Sequence, residues 1–220
     1  MAYRLRDGLS WCLCDRQAVF LDLPHDRYFR LGPEDDLSFQ QWAASGPLRG
    51  TAARRLVGAG VLVACGQSQP PRPAIRVVPP SADLGEEACD EARLIDIGRG
   101  LLAQHRATAA IRRGELALVI AALAREAHPA GPPDRTTETA VRRIAAAFGS
   151  TPLAMRKARQ CLPRALAANA LCRAAGALPT LVFGVRLEPF AAHCWLQWHA
   201  AVIVGDLEQA RMFTPILAVP

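Results

Sequence analysis

Five prolines fall between Pro70 and Pro80, inside the stretch GQSQPPRPAIRVVPPS that runs from Gly66 to Ser81. Each proline removes a backbone donor and pushes its predecessor out of the α region, so neither a helix nor a central strand is expected to cross this stretch. The 220 residues therefore divide into two folding units, expected at 1–66 and 86–220. A semi-rigid, proline-rich linker over 67–85 joins them.

Composition narrows the class. Hydrophobic residues make up 51% and charged residues 21%, which suits packed globules and excludes wholesale disorder. The most apolar stretches, Glu115–Ala127 and Leu178–Leu187, are too short to span a bilayer. The start, MAYRLRDGLS, lacks the apolar run of a secretory signal, so a cytoplasmic location is expected. The net charge of +6 is carried almost wholly by arginine, with Lys157 the single lysine. Residues 1–80 hold ten arginines against seven acids, with no basic stripe, and aromatics are only 6%. No specific nucleic-acid partner is expected.

Before the prolines, three β-like runs, Leu9–Cys14, Ala18–Leu23 and Arg27–Leu31, are separated by turn-forming DRQ and PHD. After Gly32-Pro33 the pattern turns helical. A second helix is expected over 47–59 and a short strand over Val61–Cys65, together a small winged-helix-like module. After the prolines, apolar spacings of three and four predict helices over Glu86–Gln104, Glu115–Ala127 and Thr137–Phe148, the last opening with TTET for capping. A further helix must begin close to Cys161, because Pro163 fits only a first turn. Strand patterns follow at Pro179–Leu187, Ala192–Trp198 and Ala201–Gly205. Helices followed by an antiparallel sheet make an α+β fold.

Seven cysteines, at 12, 14, 65, 89, 161, 172 and 194, include no CxxC pair. Most are expected to be small buried hydrophobes. Cys161 differs, because a helix starting there places its thiol among unpaired amides at the positive end of the dipole. Such a setting lowers a thiol's pKa and offers donors to an oxyanion. Gln160 and Arg164 are near enough in sequence to add donors, and Gln160 and Trp195 are the expected supporting residues. The best base is His193, which shares a strand face with Trp195, Gln197 and His199. If the last two strands turn around His199-Ala200, residues whose numbers sum to 399 lie opposite one another, and His193 meets Asp206. Zinc is the rival use of Cys161, Cys172, His193, Cys194 and His199. Neighbours on opposite strand faces do not converge on one ion, so no metal or other cofactor is expected.

The segments QCLPRALAANALCRAAG, PTLVFGV, FAAHCWLQW and VIVGD resemble the C-terminal region of lasso-peptide B proteins, which are transglutaminase-like cysteine peptidases. The resemblance is strongest over 160–217 and extends more weakly from about residue 86. It implies a transglutaminase/papain-like fold, with Cys161 as nucleophile, His193 as general base and acid, and Asp206 as orienting acid. Cys194 departs from the alanine more common in the family, and is expected to point away from the site. LSWCLCDRQAVFLDLPHDRYFRL is similar to the small peptide-recognition domain related to the pyrroloquinoline-quinone chaperone. That likeness implies that a leader peptide adds as a strand beside Arg27, Tyr28, Phe29, Arg30 and Leu31 and lies against the next helix.

The expected function is thus removal of the leader from a ribosomally made lasso-peptide precursor, with a macrocyclase as partner protein. Two alternatives remain open: a non-catalytic scaffold that presents a peptide, and acyl transfer to an amine on the same fold.

Overall fold

The computed structural model describes residues 2–48, 50–71, 77–88, 92–125, 134–150 and 160–220. The chain divides into two compact units, residues 1–75 and 76–220. No described helix is long and apolar enough to cross a membrane.

In the first unit β1 (Ala2–Leu5) pairs antiparallel with β5 (Leu62–Cys65), and β2 (Leu9–Cys14), β3 (Gln17–Asp22) and β4 (Arg27–Arg30) form an antiparallel meander in that order. Asp15 and Arg16 both take positive φ, 48° and 67°, and close β2 onto β3 so that Cys14 faces Gln17. Two positive φ values define the turn whose twist matches the strands it joins. Helix α1 (Pro33–Ala43) starts with proline at its first position and with Glu34, Asp35 and Asp36 in its first turn. Both features suit a helix N-terminus. With α2 (Gly50–Gly58) it closes a core of Trp11, Phe20, Phe39, Trp42, Leu56 and Leu62. Phe39 meets Trp11 and Phe20 edge-on, with centroids at 5.0 and 4.8 Å.

The second unit begins earlier than the expected linker boundary at residue 85. Val77 packs on its core, and β6 (Ala82–Asp83) runs parallel to β9 (Ala201–Val204) at the edge of a five-stranded sheet. The short helix α3 (Leu84–Glu87) follows, capped by Asp83. The helix expected over 86–104 is therefore two elements, α3 and α4 (Leu94–Arg112). Cys89 lies outside the described residues, as do residues 126 and 127 at the expected end of the next helix. Helices α5 (Leu116–Arg125), α6 (Arg135–Gly149) and α7 (Cys161–Ala174) come next. Helix α6 is capped by Asp134, which accepts the Thr137 N–H at 2.7 Å, rather than by the TTET threonines themselves.

Strand β7 (Thr180–Arg186), β8 (Ala191–Trp198), β9, the short helix α8 (Leu207–Met212) and β10 (Thr214–Val219) complete the unit. The sheet order is β10-β7-β8-β9-β6. Helix α7 is buried from Pro163 to Asn169 and packs against α4, α6 and β8. A helix buried over most of its length belongs at the centre of a fold, and this one carries Cys161 at its first position.

Candidate active site

Pro163 has no N–H to place, and α7 begins two residues before it. Gln160 occupies the N-cap with φ −110° and ψ −1°, and its side chain makes no capping bond. The first amides of the helix are left for another acceptor. The backbone amides of Cys161 and Leu162, with that of Cys194 from β8, lie close enough to the Cys161 sulfur to favour its thiolate. Strand β9 pairs with β8 only over Leu196–Trp198, so it does not cover the edge of β8 at residue 194, where the thiol meets the strand.

Three amide donors favour the thiolate, yet burial is the larger influence and raises Cys161 above the usual 9.0. The thiol pKa expected to fall at the helix terminus is thus corrected, because desolvation outweighs the amides. Cys194, next to His193 on β8, is buried, and its thiol is pushed well up, first by burial and then by the charge of Cys161. Cys12 and Cys172 behave as the packing cysteines expected, each pushed up to about 12 chiefly by burial.

His193 sits across the β7–β8 ladder from Gly184. Its ring lies 6.0 Å from Trp195 and 5.3 Å from Phe213. A Cβ at residue 184 would fall 2.7 Å from the Trp195 ring and 2.8 Å from the Phe213 Cβ, so glycine makes room for this aromatic cradle. His193 Nε2 is buried without a hydrogen-bond partner among the described residues. Burial lowers the imidazole pKa, and the charge of Asp206 acts against it.

Asp206 does not stand opposite His193 in the ladder. Trp198 pairs with Ala201 and Gln197 with Val202, both summing to 399 as expected. A bulge then shifts the register to Leu196 with Val204, where β9 ends. Gly205, at φ +141°, turns the chain away, and a Cβ there would come within 2.8 Å of the Trp195 Cβ. Asp206 instead caps α8, accepting the Gln209 N–H at 2.8 Å. It acts on His193 through its field. Among the described residues no hydrogen bond joins His193 to Asp206 or to the Cys161 thiol.

The expected supporting residues divide. Gln160, the residue before Cys161, turns its side chain to α4, its amide oxygen accepting from Gln104 Nε2 at 2.9 Å. Trp195 donates its indole N–H to Gln197 Oε1 at 2.8 Å, so it packs beneath His193 rather than offering a donor. Arg164 turns toward α6, donating to the Phe148 carbonyl at 2.6 Å and lying over the Phe148 ring. Phe213, Gln104 and Gln197 were not legible as site residues. Only Gln197 gave a signal, a polar residue within an apolar strand.

In the first unit β4 is the outer strand of its meander, so among the described residues one side of Arg27–Arg30 carries no strand. Arg27 bonds buried Asp22 at 3.1 Å and lies over the Phe29 ring, which stacks on Phe20. Arg30 donates to Gln17 at 2.8 Å. Phe29 and Leu31 pack partly against the core, and Tyr28 faces Leu21 across the ladder. An open groove of about 810 Å³, lined by Arg30, Leu31, Leu37 and Gln40 among others, lies between the end of β4 and α1.

Compared with curated proteins and with solved structures, the chain matches neither. Residues 101–218 match the family model described as the transglutaminase-like superfamily, a span that takes in α7, β8 and every residue of the cluster around Cys161. With more than half its length in that match, the chain belongs to the transglutaminase-like superfamily.

Proposed function

We propose that this protein is a cysteine peptidase that removes the leader from a ribosomally made lasso-peptide precursor and frees the core for a partner macrocyclase. The observation that carries the reading is the Cys161 thiol at the first turn of a buried helix, near the backbone of Cys194 on β8, the residue next to a half-buried imidazole whose Nε2 is buried without a partner among the described residues. Burial disfavours charge on both groups, so the resting pair is neutral thiol and neutral imidazole. His193 takes the thiol proton as Cys161 attacks the carbonyl, and returns it to the leaving amine. Water then hydrolyses the thioester. Asp206 stabilises the transient imidazolium from a distance, and backbone N–H groups at the start of α7 are suited to the oxyanion.

Leader capture is assigned to the first unit. The uncovered side of β4 accepts an added strand, with main-chain bonds for affinity, and the neighbouring groove takes side chains for selectivity. The test is mass spectrometry of a leader–core precursor encoded beside this gene, incubated with the full-length protein and with Cys161→Ala. Hydrolysis gives a free leader acid that is lost in the variant. Unchanged cleavage by Cys161→Ala sinks the peptidase reading, and an amide product instead of the acid assigns acyl transfer.

A further inference from the structure

Gln104 lies on α4, 56 positions before Gln160, and is buried at 8% exposure. Glutamine is seldom a core residue, and a leucine or methionine would fill a helix–helix contact without an amide to satisfy. Here the amide has a definite partner, because Gln104 Nε2 donates to Gln160 Oε1 at 2.9 Å. The bond fixes the sense of the Gln160 amide. Its oxygen is turned to α4, and among the described residues its NH₂ makes no hydrogen bond, which leaves it for another acceptor. It also explains why the N-cap side chain of α7 leaves the helix amides uncapped, and so available at the Cys161 sulfur. A serine or aspartate at that place would occupy those amides itself.

We propose that Gln104 is a positioning residue: by holding Gln160 Oε1 it presents Gln160 Nε2 as a donor to the oxyanion formed when Cys161 adds to a carbonyl. The inference rests on the reading of Cys161 as nucleophile. In the step, the sulfur–carbon bond forms, the carbonyl π electrons move onto oxygen, and the thiol proton passes to His193. Gln160 donates a hydrogen bond to that oxygen without giving up a proton. Collapse re-forms the carbonyl, expels the amine or alcohol, and returns the proton from His193 to it.

The experiment compares two reactions of Cys161 in the full-length protein, each read by mass at that residue. Acylation by p-nitrophenyl acetate passes through an oxyanion, whereas alkylation by iodoacetamide does not. Removing one oxyanion donor slows acyl transfer strongly. Gln160→Ala is therefore expected to slow acylation about 100-fold, and Gln104→Leu, which only frees the amide, about 10-fold. The double variant should match Gln160→Ala, because residues acting through one another are non-additive. Gln104→Glu accepts from Gln160 Nε2, reverses the amide, and should slow acylation as far as Gln160→Ala. Alkylation should stay within about 2-fold throughout, since no oxyanion forms.

Full-speed acylation in Gln104→Leu, additive losses, or alkylation slowed in parallel each overturn the inference. Failure of Cys161 to acylate in the unaltered protein overturns it together with the nucleophile reading. Normal acylation with no cleavage of any precursor overturns the peptidase reading alone. The leucine variant keeps the test decisive if the buried glutamate unfolds the chain.

Discussion

Each unit shields polar atoms of an ionisable group from water, and the two are treated in opposite ways. In the first, Asp22 is fully buried and accepts from Arg6 at 2.7 Å, His25 at 2.8 Å and Arg27 at 3.1 Å. Burial pushes its carboxyl up, but these hydrogen bonds prevail and hold it below the usual 3.8. In the second, His193 has its Nε2 bare, and the charge of Asp206 does not overcome its burial. A satisfied network fixes a structure, whereas an orphaned titratable group costs stability and marks a place where chemistry uses it. The unmet hydrogen bond, more than the Cys–His–Asp order, separates a site from a scaffold.

That contrast can be broken by substitution. His193→Ala should lower kcat by about 10³-fold, within the range of a lost general base, while leaving the melting temperature unchanged or higher. A fall in stability instead would make His193 a structural partner. Asp22→Asn should do the reverse, costing about 3 kcal/mol in urea unfolding, because three donors lose their charge partner, with kcat intact.

The sign of its pH dependence follows from the depressed carboxyl. The Asp22 contribution is full above pH 3.8 and is lost as pH falls through the lower folded value, so the asparagine variant should flatten the acid limb of stability. Asp206→Asn should lower kcat by about 10-fold and move the acid limb of the rate profile to lower pH, since removing the charge lets burial depress His193 further. An unmoved limb would show that Asp206 does not act on the imidazole. The smallest effect belongs to Gly184→Ala, whose Cβ meets the Trp195 ring and Phe213. It should cost about 1–2 kcal/mol by thermal unfolding, as overpacking does.

Local signals were read well where they were local. Strand β2 matches the expected run to the residue, and β3 and β4 lie within one residue of theirs, because turn residues bound each alternating run. The start of α7 was legible from Pro163 alone. Strand β1, four half-buried residues, offers no alternation, and the β10 run carries Pro215, which argues against a strand until pairing with β7 decides otherwise. The pairing of His193 with Asp206 failed at one bulge. Whether a register slips depends on how Trp195 packs against Gly205, a contact that spacing does not encode. The sign of the Cys161 shift was missed for a similar reason, since the helix end is visible in sequence and the depth of burial is not.

The attachment of residues 77–83 bears on how such a protein can be taken apart or rebuilt. Gln197 donates to the Val78 carbonyl at 2.9 Å, Arg211 to that of Pro80 at 3.2 Å, and the Ser81 N–H donates to Ala200 at 2.7 Å. A fragment cut at residue 86 would strip β9 of its outer neighbour β6 and leave the buried Gln197 amide with only the His199 carbonyl as acceptor. One cut just before Val77 keeps them all. The seam at which the first unit can be exchanged for another therefore lies upstream of Val77, and the residues after it travel with the second unit.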